Sequence, residues 1–118
     1  MTNTPLQALA LMNDVTYVEA ARELARRMIE EGGAEAAERI VFGFRLVTSR
    51  HPTDYEIDVL LSGLQHHLET YRGNGELASQ LVHVGDSRPA PALDIEDLAA
   101  YTALANTLLN LDETITKP

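Results

Sequence analysis

Apolar residues recur at every third or fourth position along most of this chain, and helix-ending residues cut the pattern at short intervals. The cuts fall at Asn13-Asp14, Gly32-Gly33, His51-Pro52, Gly73-Asn74-Gly75 and Pro89-Ala90-Pro91. Each segment must therefore bury its apolar face against its neighbours. The spacing predicts an all-α fold: a single compact bundle of about six helices, two short and four longer, with residues 1–118 forming one helical domain.

Thr4-Pro5-Leu6-Gln7 places a hydroxyl at an N-cap, Pro at the first helical position and Gln three residues after the cap, which predicts a short opening helix ending near Asn13-Asp14. Val15, Val18, Ala21, Leu24, Ala25 and Met28 then mark an amphipathic helix that Gly32-Gly33 stops. A third helix runs from about Ala34 to Thr48 on Ala37, Ile40, Val41, Phe44 and Val47; Gly43 inside it costs stability and marks either a close approach of another helix or no special contact at all. Thr53-x-x-Glu56 is a second capping box, opening a helix through Ile57, Leu60, Leu61, Leu64, Leu68 and Tyr71. After the Gly73-Asn74-Gly75 turn, Leu77, Ala78, Leu81 and Val82 support a helix of about ten residues ending near Gly85. Asp94 caps the final helix, with Leu98, Tyr101, Ala105, Leu108 and Leu109 on one side.

Composition then removes function classes. Nine Lys and Arg against eighteen Asp and Glu give a net charge of −9, which opposes binding to nucleic acid or an anionic membrane. The charge is spread, −4 over residues 1–59 (six basic, ten acidic) and −5 over 60–118 (three basic, eight acidic), so neither half forms an acidic pole. With no cysteine, the chain has no disulfide framework, thiolate metal site, Cys nucleophile or covalent c-type haem attachment. The apolar runs fall far short of the roughly 20 residues that span a bilayer, so membrane insertion is not expected.

The residues that could carry chemistry read as structural. His66 and Glu69 share a helical face and could hold one edge of a metal site. A di-iron bundle, however, needs Glu-x-x-His from each of two helices, and here the order is reversed and unrepeated. His51 and His83 read as surface or hydrogen-bonding residues. The acid pairs Glu30-Glu31, Glu96-Asp97 and Asp112-Glu113 sit at helix ends, where capping and solvation account for them. No G-x-S-x-G elbow or phosphate loop is present, and catalytic, cofactor and metal residues are all absent from the expectation. More unusual are amides inside apolar runs: Asn13 after Leu9-Ala10-Leu11-Met12, and Asn106 and Asn110 between Leu104 and Leu111. They are expected to fix the two ends of the domain against each other, with a partner-binding edge as the alternative.

Those two ends also carry a resemblance. Thr2-Asn3-Thr4-Pro5-Leu6-Gln7-Ala8-Leu9, then Leu11-Met12-Asn13-Asp14, and the late Ala105-Asn106-Thr107-Leu108-Leu109-Asn110-Leu111-Asp112-Glu113-Thr114 resemble the C-terminal part of a planctomycete-type domain of unknown function. That domain closes multidomain proteins that often carry a cytochrome-c-like module. Arg50-x-Pro52-Thr53-x-x-Glu56 and Val84-Gly85-Asp86-Ser87 resemble its middle signatures. The resemblance implies an exported, extracytoplasmic parent protein and no known activity. This chain lacks Cys-x-x-Cys-His and begins where the resemblance begins, so a C-terminal fragment of a larger protein is expected.

The expected function is a non-catalytic module that docks onto or completes the upstream domains of that parent. Asn3, Thr4, Pro5, Gln7, Asn13, Asp14, Asn106, Asn110, Asp112 and Glu113 are its structural or docking residues. Two alternatives stand beside it: acidic residues such as Asp14, Asp112 or Glu113 contributed to an active site at a domain interface, and a homodimer.

Overall fold

Caps and breakers set the helix boundaries. In the computed structural model, which describes residues 15–83 and 93–116, the backbone forms helices α1 (Val15–Glu31), α2 (Ala36–Thr48), α3 (Asp54–Tyr71), α4 (Gly75–Val82) and α5 (Ile95–Thr116), with no strand among the described residues. Four are long and one is short; the second short helix, expected between Thr4 and Met12, lies outside the described residues.

The Thr53-x-x-Glu56 box forms as expected: the Glu56 amide donates to Thr53 Oγ1 at 3.1 Å and the Thr53 amide to Glu56 Oε1 at 2.9 Å. Asp94 likewise caps α5, its Oδ2 accepting from the Asp97 amide at 3.1 Å. Two starts differ from expectation. Helix α2 opens at Ala36 rather than near Ala34, because Glu35 serves as N-cap and its amide donates to Glu38 Oε1 at 3.1 Å. Helix α4 takes in Gly75, which the turn reading left outside, and its last helical residue is Val82. Gly33 adopts φ 117°, a left-handed conformation that lets the chain reverse between α1 and α2.

The largest departure concerns α5. Its apolar residues were expected on one side, yet every residue from Leu98 to Asn106 is buried, and α5 packs against all four other helices. The stretch Leu98-Ala99-Ala100-Tyr101-Thr102-Ala103-Leu104-Ala105-Asn106 carries no charge, and its four alanines allow neighbouring backbones to approach from several directions. A helix wrapped on all sides thus becomes the axis of the bundle. Around it Ala25 and Met28 of α1, Ile40 and Phe44 of α2, Leu60 and Leu64 of α3, and Ala78 and Val82 of α4 complete one continuous core.

The two helix-interior glycines behave differently. A Cβ at Gly43 would stand 2.6 Å from the Sδ of the fully buried Met28, which confirms that α1 approaches α2 closely there. A Cβ at Gly63, within α3, would meet nothing within 4 Å among the described residues. The same substitution should therefore have opposite effects at the two sites. Gly63→Ala raises stability by about 0.5–1 kcal/mol through helix propensity alone. At Gly43 an overpacking cost of about 1–3 kcal/mol outweighs that gain, and Gly43→Ala lowers the melting temperature. Thermal unfolding followed by circular dichroism checks both signs; a Gly43→Ala variant as stable as the parent would contradict the close approach.

Candidate functional site

At the α2–α3 corner, Arg50 projects from the connecting turn and meets Glu56 in a two-pronged pair, with Nη1 to Oε1 at 3.0 Å and Nη2 to Oε2 at 2.8 Å. The Arg50 guanidinium also lies over the Phe44 ring, 4.8 Å from its centroid. Pro52 is buried. Arg50-x-Pro52-Thr53-x-x-Glu56 is thus one device: the proline ends the extended turn, Thr53 caps α3, and Glu56 answers both the cap amide and the guanidinium. Sequence reasoning identified the cap but not the ion pair, because six residues across a turn follow no local spacing rule.

Two hydrogen-bond donors, Arg50 foremost and then the Thr53 amide, lower the Glu56 carboxyl to a pKa of about 2. With its folded pKa depressed, Glu56 contributes stability that is fully present above the ordinary carboxylate range and lost as pH falls toward 2. Glu56→Gln should therefore lower the melting temperature at neutral pH and flatten its decline between roughly pH 4.5 and 2.5. Parallel declines in the parent and the variant would rule this out.

Beside this corner lies an open groove of about 240 Å³ between α2, α3 and α5, lined by Phe44, Tyr55, Val59, Leu60, Thr107 and Leu111, with Glu56 at its edge. Tyr55 is 77% exposed and Val59 49% exposed, so an aromatic ring and a branched aliphatic side chain stand in solvent on adjacent turns of one helix. Neither belonged to the apolar set expected for this helix. Of that set Leu60 and Leu64 are buried, while Ile57, Leu61, Leu68 and Tyr71 are half-buried.

A second polar feature sits in the core. Arg22 is only 4% exposed and donates through Nη1 to the carbonyl of Val82, the last residue of α4. A cation there answers both an unpaired helix-end carbonyl and the negative end of the α4 dipole. Sequence reasoning passed over Arg22, although it lies four residues after Val18 and inside the apolar stripe of α1. Across from α1, Asn106 is 8% exposed, and its Oδ1 is buried without a hydrogen-bond partner. It borders a narrow notch of about 10 Å³ together with Val18, Ala21 and Thr102, room for a single water molecule.

Of the expected docking residues, Asn106 is thus in the core, and Asn110, one turn on, is half-buried and has a polar partner of its own. Asn3, Thr4, Pro5, Gln7, Asn13 and Asp14 lie outside the described residues, as do the side chains of Asp112 and Glu113. The described acid groups are dispersed. Glu30 pairs with Arg26 at 2.5 Å and Glu31 with Arg27 at 3.2 Å, while Glu23 also bonds to Arg26. The Arg26 hydrogen bond holds the Glu23 carboxyl below its usual range.

Among the described residues, no group of three or more His, Cys, Asp and Glu side chains is placed to hold one metal ion. Gln65, rather than His66, contacts Glu69, at 3.4 Å. Half-burial lowers the pKa of His67, with a smaller contribution from the neighbouring His66. His83 bonds within its own helix, its Nδ1 lying 2.9 Å from the Ser79 carbonyl, and His51 Nδ1 lies 2.9 Å from the Pro52 carbonyl. No helix among the described residues is long and apolar enough to cross a membrane.

No curated protein and no solved structure matches the chain. Residues 1–64 match the PSD1 family, described as protein of unknown function (DUF1553), a span that takes in α1, α2, the Arg50–Glu56 corner and the Tyr55 and Val59 turns of α3. The chain accordingly belongs to the PSD1 (DUF1553) family of proteins of unknown function.

Proposed function

We propose that the chain is a non-catalytic helical module that docks onto, and structurally completes, the remaining domains of a larger exported protein of the cytochrome-c-associated type. The observation that carries this reading is the groove beside the Arg50–Glu56 corner, where Tyr55 and Val59 stand in solvent over an apolar floor of Phe44 and Leu60. Exposed aromatic and aliphatic side chains at the mouth of an apolar depression are the usual anchors of a protein interface. The corner holds that depression in a fixed shape, since Arg50 ties Glu56 of α3 to Phe44 of α2. Asn106 and Asn110 then serve a structural role, setting the register of α5, the helix that closes the groove on its far side.

The test takes the chain and the remainder of its parent protein as separate polypeptides and measures their association by calorimetry. Replacing Tyr55 and Val59 together by Ala should weaken binding by about tenfold or more while leaving the melting temperature of the module almost unchanged. Undiminished binding would remove the groove from the docking role. An upstream reading frame without further domains would remove the parent protein itself.

A further inference from the structure

We infer that the occupant of the Tyr55–Val59 groove is a basic amphipathic helix, crossing α3 at Gly63 with its apolar stripe in the groove and Lys or Arg residues on its flanks. This rests on the docking role proposed above and specifies the partner's chemistry.

Two independent observations carry it. The first is Gly63. It follows Tyr55 and Val59 at four-residue steps, so the three share one side of α3. A glycine in a helix interior is unfavourable relative to alanine and is ordinarily matched to a neighbour that approaches the backbone closely. Gly43 has such a neighbour in Met28, whereas among the described residues nothing comes within 4 Å of a Cβ at Gly63. The bare backbone one turn beyond Val59 is therefore available for close approach by another polypeptide. A helix crossing at a small residue is the geometry that uses it.

The second is charge. Helix α3, which bears Tyr55, Val59 and Gly63, is one-signed: it carries Asp54, Glu56, Asp58 and Glu69 with no Lys or Arg. Asp54 and Asp58 are exposed on either side of Tyr55 in sequence. The guanidinium that reaches this face from the α2–α3 turn, Arg50, is engaged by Glu56 and stacked on Phe44. A second copy of the chain would bring carboxylates against carboxylates, in a molecule whose net charge is already −9. A partner with apolar anchors between basic residues satisfies both the groove and its rim.

The experiment uses a fluorescein-labelled 18-residue helical peptide with Leu at every third or fourth position and an Ala at the crossing point. It is made in two versions, Lys-flanked and Glu-flanked, and titrated against the intact chain by fluorescence anisotropy. The Lys-flanked peptide should bind at least about tenfold more tightly than the Glu-flanked one, and Asp54→Lys with Asp58→Lys should reverse that preference. Gly63→Leu should weaken the Lys-flanked peptide by about tenfold or more while the chain keeps its circular dichroism spectrum and melting temperature. Equal binding of the two peptides, or full binding to Gly63→Leu, would overturn the inference, as would a dimer of the chain in sedimentation that Gly63→Leu dissolves. If the peptides fail to discriminate while Tyr55→Ala/Val59→Ala still weakens binding to the parent protein, the docking role stands and only the basic partner falls.

Discussion

Replacing Phe44 by alanine should reduce the stability of this domain by about 3–5 kcal/mol, a large part of the roughly 5–15 kcal/mol available to a chain of this size. The Phe44 ring is 1% exposed and sits where three helices meet, with Leu60 of α3 and Leu111 of α5 bordering the same depression. Truncation removes the ring's buried surface and leaves a void that rigid helix backbones cannot fully close. It also removes the surface over which the Arg50 guanidinium lies, so the corner loses one of its two attachments. Chemical denaturation followed by far-ultraviolet circular dichroism should show the lower midpoint, and Phe44→Leu should recover most of the loss. A loss below about 1 kcal/mol would mean that Phe44 is not the keystone of the α2–α3–α5 junction.

Arg22→Glu should be comparably damaging, on the order of 3–5 kcal/mol, and far worse than Arg22→Met. The guanidinium is buried and donates to the terminal carbonyl of α4. Methionine retains the unbranched apolar stem that packs among the α1 core residues and leaves one carbonyl without its donor, which costs about 1–3 kcal/mol. Glutamate places a carboxylate against that same carbonyl and against the negative end of the α4 dipole, with no donor to answer it. Urea titrations of the two variants give the comparison directly. Similar midpoints for Glu and Met would show that the Arg22 charge has no structural role.

Much of the fold can be read from the chain because its boundaries are chemical. Thr53 and Glu56, Asp94, and the Gly32-Gly33 pair each satisfy or terminate a helix through their own backbone or nearest neighbours, so local sequence is sufficient. The readings that departed from the structure depend on what stands opposite. The apolar spacing of α5 fits a single stripe, yet the segment from Leu98 to Asn106 has no charged face at all, and that absence signals burial on every side. Arg22 occupies an apolar-stripe position, and the α4 carboxyl end that arrives beside it is not visible in local spacing. Tyr55 and Val59 look like ordinary helix residues in sequence; their exposure follows from no described element covering that side of α3. The Arg50–Glu56 pair likewise needs the turn to fold before its partners meet.

The proposed docking runs through the face bearing Tyr55, and that side chain offers a direct probe. In the isolated chain its ring is 77% exposed and should be oxidised rapidly by hydroxyl radicals, whereas the buried Tyr101 should not. Hydroxyl-radical footprinting of the same residues within the larger protein proposed above should show Tyr55 protected by about fivefold or more, with Tyr101 unchanged, as a ring desolvated in an interface requires. Equal oxidation of Tyr55 in the isolated chain and in that larger protein would contradict docking through this face.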